Sequence, residues 1–143
     1  MIGTRPANAV DEAAVLALWQ ECGLTRPWND PGADFRRALD WPGSAILVSP
    51  VLGPIAASVM VGHDGHRGWV YYLAVAPGHR RSGLGRALMA AAETWLVERG
   101  CPKIQLMVRD DNAAAIAFYR SLGLEVQKVA VLGRFLQPEP GRG

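Results

Sequence analysis

Residues 79–86 read His79, Arg80, Arg81, Ser82, Gly83, Leu84, Gly85, Arg86, placing three arginines and two glycines within eight positions. Cations and glycines of this kind suit the binding of an anion at the start of a helix. The first N–H groups of a helix have no intrahelical partner and sit at the positive end of its dipole, so a phosphate can accept several at once. Glycine lets the anion approach the main chain closely.

The neighbouring elements must supply that geometry. Upstream, WVYYLAV at 69–75 is rich in β-branched and aromatic residues and reads as a strand, closed by Ala76, Pro77 and Gly78. Downstream, 84–99 is rich in Ala and Leu, with Leu84, Leu88, Ala91 and Trp95 at helical spacing and Gly100 as the stop. Three phosphate-binding patterns compete for the turn between them. A Walker loop requires a Gly-Lys pair, which the chain does not contain. A dinucleotide fingerprint requires Gly or Ala where Leu88 stands, in a chain already short for two mononucleotide-binding halves. R-x-x-G-x-G, from Arg80 to Gly85, remains. The same residues also permit an ordinary strand–turn–helix with solvated arginines.

Elsewhere, a short strand is expected at 2–5, then a helix to Gly23 carrying Val15, Leu18, Trp19 and Cys22 on one stripe. A second short helix is expected over 34–41, after a stretch interrupted by two prolines. Strands at 44–49, 55–62 and 69–75 form an antiparallel set, with Asp64-Gly65 marking a tight turn. A strand over 103–109 after the long helix implies a parallel crossover. Asp110, Asp111 and Asn112 cap a further helix that ends at Gly123, and 124–126 and 129–135 read as two closing strands before a mobile PEPGRG tail.

R-x-x-G-x-G directly after L-x-V-x-P at Leu73, Val75 and Pro77 resembles the acetyl-CoA-binding motif of the GNAT acyltransferases. NAAAIAFYRSLG at 112–123 resembles that family's second coenzyme element, and RPWND, DGHRG and GCPKIQL resemble the YpeA-type branch of small bacterial members. The resemblance runs along almost the whole chain. It implies one GNAT domain over 1–143 with an α/β (α+β) fold, a mixed central sheet of about seven strands flanked by four helices. It also implies an N-acetyltransferase that passes an acetyl group directly from acetyl-CoA, its cosubstrate, to a primary amine.

By the same resemblance, the main chain of Leu73 and Val75 takes the pantetheine arm. Arg80, Arg81, Ser82, Gly83, Leu84, Gly85 and Arg86 hold the pyrophosphate, and Asn112 adds a side-chain contact. Tyr119 matches the general acid that protonates the leaving thiolate. Two of these residues carry a second reading: Asn112 as a helix N-cap and Tyr119 as an amphipathic core tyrosine. Some relatives carry a glutamate base early on the strand before the turn, but 68–72 contains no acid. Water-mediated deprotonation is therefore expected, with His63, Asp64 and His66 the titratable groups of the adjoining turn. Acceptor recognition falls on the loops 26–30 and 63–67, where Trp28 stacks on a substrate or covers the core, and Asp30, His63 and Asp64 meet an amine. A noncatalytic acyl-CoA-binding regulatory module is the alternative; it would keep the phosphate turn and need neither Tyr119 nor an amine-lined mouth.

Composition narrows the classes. The net charge of +2 is too small for a nucleic-acid face, and half of the 143 residues are hydrophobic, as in an ordinary globular domain. Cys22 and Cys101 share no metal-ligand spacing, so neither a zinc site nor a disulfide framework is implied. The first residues lack an apolar signal segment and no stretch is long enough to span a bilayer, so a cytoplasmic location without membrane partners is expected. Family habit implies a homodimer through the C-terminal strands.

Overall fold

The Asp64-Gly65 turn and the prolines around Gly53 divide one β-rich stretch into three strands, which hydrogen-bond in sequence order. In the computed structural model, which describes residues 3–137, these are β2 (Ser44–Ser49), β3 (Ala57–His63) and β4 (Gly68–Val75). All three pair antiparallel. β1 (Arg5–Pro6) joins the outer edge of β2, and β5 (Ile104–Leu106) lies parallel to β4, giving the order β1-β2-β3-β4-β5. The parallel pair requires a crossover, which α3 (Leu84–Glu98) supplies.

The structure divides into two compact units, Met1–Leu106 and Met107–Gly143. In the first, α1 (Glu12–Glu21) and α2 (Pro31–Asp40) cover one face of the sheet. Val15, Leu18 and Trp19 of α1 and Phe35 and Ala38 of α2 pack there on Ile46, Val48 and Ala74. α3 packs on the sheet through its own buried stripe, Leu84, Leu88, Met89, Ala92, Trp95 and Leu96. This packing leaves little room at Gly68, where a Cβ would lie 2.5 Å from a methyl of Leu96 and force that side chain to shift. A 3₁₀ turn, Ala9–Asp11, leads into α1 and is closed by a capping box at Asn8 and Asp11, and Asp11 also takes a bidentate pair from Arg5 at 2.8 and 3.0 Å. The Arg5 guanidinium holds the Asp11 carboxyl below its ordinary range, against the opposing effect of burial.

The second unit contains α4 (Ala113–Ser121), with Asn112 as its N-cap. Among the described residues, the expected strands at 124–126 and 129–135 do not form, so the mixed sheet has five strands rather than about seven. Val126, Val129, Val131, Leu132 and Phe135 are exposed instead. A run of β-formers becomes a strand only where a ladder partner exists, and composition alone does not supply one. Smaller differences follow from caps. α2 begins at Pro31, three residues before the expected start, because Asp30 accepts from the Ala33 N–H and Pro31 is suited to the first helical position. The strand expected over 103–109 is confined to Ile104–Leu106. Ile2 of the first expected strand and the PEPGRG tail lie outside the described residues. Among those described, no helix is long and apolar enough to cross a membrane.

Candidate functional site

The turn after β4 is built from backbone conformations that only a few residues tolerate. A short 3₁₀ turn, Pro77–His79, leads to Arg80, after which Arg81 has φ 64° and Gly83 has φ 86°. Gly83 is the N-cap of α3 and has no side chain to offer, so no side-chain cap covers the helix start. Ser82 donates its hydroxyl to the His79 carbonyl, closing the loop on itself. Arg80, Arg81 and Gly83 are exposed, and a Cβ built on Gly83 would meet nothing within 4 Å. The donor set therefore fits a diphosphate: free N–H groups at the start of a fifteen-residue helix, open space before the glycine, and guanidinium groups on either side.

β4 itself is irregular in a way that its sequence does not announce. Met60 pairs with Tyr71 and Ser58 with Ala74, so Tyr72 and Leu73 together oppose Val59. This is a bulge of one extra residue. Tyr72 takes φ 55°, a left-handed conformation that costs a residue with a Cβ ~1–2 kcal/mol. Two contacts hold it there. Its ring stacks on Trp19, with centroids 4.0 Å apart and planes 8° from parallel, and its hydroxyl donates to Asp34 Oδ2 at 2.8 Å. Arg37 Nη2 donates to Asp34 Oδ1, also at 2.8 Å. Trp19 is fixed in turn by donating its indole N–H to Ser58 Oγ at 3.1 Å and by an edge contact with Phe35. Burial, together with the Asp34 carboxylate, pushes the Tyr72 phenol well above its usual range. Beyond the bulge, the Val75 carbonyl accepts from Cys22 Sγ at 3.3 Å and from Arg80 Nε at 3.4 Å. The β4–β5 ladder stops at Val70 and Leu106, so the strand from Tyr71 to Val75 has no β5 partner.

The expected acceptor residues fall on two loops. Trp28 is 41% exposed on the connection between α1 and α2, where Asp30 caps α2. On the β3–β4 turn, Asp64 Oδ1 accepts from the N–H groups of His66 and Arg67, and Oδ2 accepts from Trp69 Nε1. These donors, with Arg67 contributing most, hold its carboxyl down to about 2. Asp64 thus organises its own turn while remaining charged and exposed. The His63 ring sits 6.0 Å from that of Trp95.

In the second unit, Asn112 Oδ1 accepts from the Ala115 N–H at 3.1 Å, so the capping role is realised. Tyr119 packs edge-on against Phe118, with centroids 5.1 Å apart, and burial raises its phenol above the ordinary range. Asp34 and Tyr72 were not among the residues expected from sequence. The bulge that aims Tyr72 at Asp34 carries no glycine, the one signal that would have marked it. Among the described residues, no three His, Cys, Asp or Glu side chains gather as metal ligands would.

The model of the acetyltransferase (GNAT) family matches residues 13–124. Bacterial proteins named acetyltransferase are similar over most of their length. One from Yersinia pestis (strain Pestoides F) is 47% identical over 126 residues, covering 88% of this chain and 89% of its own, and one from Pectobacterium atrosepticum is 48% identical over the same span. Among solved structures, the fold is shared with the aminoglycoside N-acetyltransferase AAC(6')-Iy in complex with CoA. That match has a TM-score of 0.82 at 16% identity and covers 96% of each chain. The ribosomal-protein-S18-alanine N-acetyltransferase from Escherichia coli matches with a TM-score of 0.74 at 28% identity, over 86% of this chain and 77% of that one.

Proposed function

The chain belongs to the acetyltransferase (GNAT) family, and from that premise we propose that it is one acetyltransferase domain that moves an acetyl group from acetyl-CoA to a primary amine. The observation that carries this reading is the Arg80–Gly83 turn, where left-handed Arg81 and Gly83 deliver an uncapped helix start into open space. Arg80, Arg81 and Arg86 supply charge for the pyrophosphate, and the main-chain N–H groups from Ser82 to Arg86 supply directed donors. The main chain of Leu73 and Val75 takes the pantetheine arm along the stretch of β4 that lacks a β5 partner.

Bound acetyl-CoA supplies a thioester, whose carbonyl carbon is attacked by the lone pair of a neutral amine. The C–N bond forms, the C–S bond breaks, and the sulfur leaves with the bonding pair. Tyr119, kept protonated by burial, gives that thiolate its proton, and water removes the surplus proton from the new amide nitrogen. Asn112 adds a coenzyme contact through whichever part of its amide the helix cap leaves unused. Trp28, Asp30, His63 and Asp64 form the surface that meets the acceptor.

Isothermal titration with acetyl-CoA tests the coenzyme half of this reading. One-to-one binding that weakens with added salt is expected, with a further loss on Arg80→Ala or Arg86→Ala. Salt-independent binding unaffected by either substitution would place the coenzyme elsewhere.

A further inference from the structure

Tyr72 is a costly residue to hold in a left-handed bulge, and the contacts that keep it there fix its hydroxyl as well as its ring. A phenol has one proton and two lone pairs. Here the proton is committed to Asp34 Oδ2 at 2.8 Å, and Arg37 in turn anchors Asp34 through Oδ1. To any other neighbour, the Tyr72 oxygen therefore offers only lone pairs. The residue is half-buried, and the Asp34 side chain keeps 28% of its exposure, so the pair borders solvent. Tyr72 also directly precedes Leu73, on the part of β4 that lacks a β5 partner.

We propose that Tyr72, fixed by Asp34 as a hydrogen-bond acceptor alone, takes one N–H of the acceptor amine and so orients the amine's lone pair for attack. This rests on reading the protein as an acetyl-CoA-dependent N-acetyltransferase. A neutral primary amine has two N–H groups and one lone pair. Holding an N–H on the phenol oxygen turns the lone pair away from Tyr72. A hydroxyl free to rotate would instead present its own proton to that lone pair and block attack. Tyr72 thus touches substrate, whereas Asp34 is a positioning residue that acts through it. The phenol does not serve as the base, because its raised pKa keeps it protonated.

The test compares wild type with Tyr72→Phe, Asp34→Asn and Asp34→Ala in three measurements: melting, calorimetric titration with acetyl-CoA, and steady-state acetylation. The amine panel is sisomicin, a peptide with a free N-terminal alanine, Nα-acetyl-lysine amide and spermidine, and kinetics are taken on the best member. Tyr72→Phe is expected to lower kcat/KM for the amine about tenfold, the scale of one lost hydrogen bond, with acetyl-CoA affinity within about twofold of wild type. Asp34→Ala should match it, and Asp34→Asn should recover part of the loss because its amide oxygen still accepts from the phenol. A purely structural clamp would lower the melting temperature and leave amine kcat/KM intact in the folded variants, which would overturn the proposal. Wild type that binds acetyl-CoA but acetylates no panel member would also overturn it. Wild type that does not bind acetyl-CoA would overturn the function reading beneath it.

Discussion

Gly83→Glu separates the cost to the fold from the cost to the coenzyme. The φ of 86° at this position puts any residue with a Cβ in a left-handed conformation, at ~1–2 kcal/mol. A carboxylate at the N-cap of α3 returns ~0.3–1 kcal/mol through the helix dipole, and the new Cβ meets nothing within 4 Å. The net loss of about 1 kcal/mol lowers the melting temperature by roughly 3–5 °C in a chain of this size. Acetyl-CoA at a hundred times its Kd stabilises the wild type by ~2.7 kcal/mol, which raises the melting temperature by roughly 10 °C. In the variant, the carboxylate faces the pyrophosphate. At about 5 Å, with an effective dielectric near 20, each unit of phosphate charge is repelled by ~3 kcal/mol, enough to cancel that gain. Melting curves of both proteins with and without acetyl-CoA, with circular dichroism to confirm the fold, read this out. The variant should melt slightly lower and show no ligand shift. A folded Gly83→Glu that shifts as far as wild type would refute the placement of the coenzyme.

Three further outcomes follow. Tyr119→Phe should reduce kcat by about 10²-fold or more with acetyl-CoA affinity preserved, as expected when a positioned acid is removed; near-normal kcat with a lower melting temperature would make it a packing residue. The Asp64 carboxyl, held down to about 2, and that of Asp11, also held low, both favour the folded state above the unfolded carboxylate pKa of about 4. The Asp64 contribution is lost as pH falls from about 4 toward 2 and that of Asp11 as pH falls below about 4, so Asp64→Asn and Arg5→Met should each flatten the acid limb of stability measured by denaturant titration, and an unchanged limb would contradict the assignment. Gly68→Ala forces a methyl against Leu96 and should cost ~1–3 kcal/mol by the same denaturant titration, with an unchanged midpoint as the contrary result.

β2, β3, β4 and α3 were legible in the sequence because each has an unambiguous local signal: a turn dipeptide, a proline cluster, or a 3.6-residue stripe ending at Gly100. The start of α2 is written in Asp30-Pro31, a cap followed by a residue suited to the first turn, but a proline so close to Pro27 also reads as an interruption, which moves the expected start to Asp34. The strands expected after Gly123 carry strong β composition, but pairing is a property of the partner and not of the run. In the site, the Arg80–Arg86 turn was visible because glycines mark backbone that must go left-handed. Tyr72 occupies the same region of conformational space without glycine, so the bulge and its contact with Asp34 appear only once the register of β3 on β4 is known. Asp64 and Asn112 show the converse. Asp64 was expected to meet an amine from its place on a loop and Asn112 the coenzyme from family resemblance, with a helix cap as its second reading; Asp64 organises its own turn and Asn112 fills the cap.

Transfer of acetyl from acetyl-CoA to an amine frees coenzyme A, and measuring that release across an amine panel is the decisive assay of the proposed function. Release should depend on the amine, saturate with it, and match the appearance of the N-acetylated product mole for mole. Tight acetyl-CoA binding with no amine-dependent release from any member would contradict that function and leave a module that binds the coenzyme without using it.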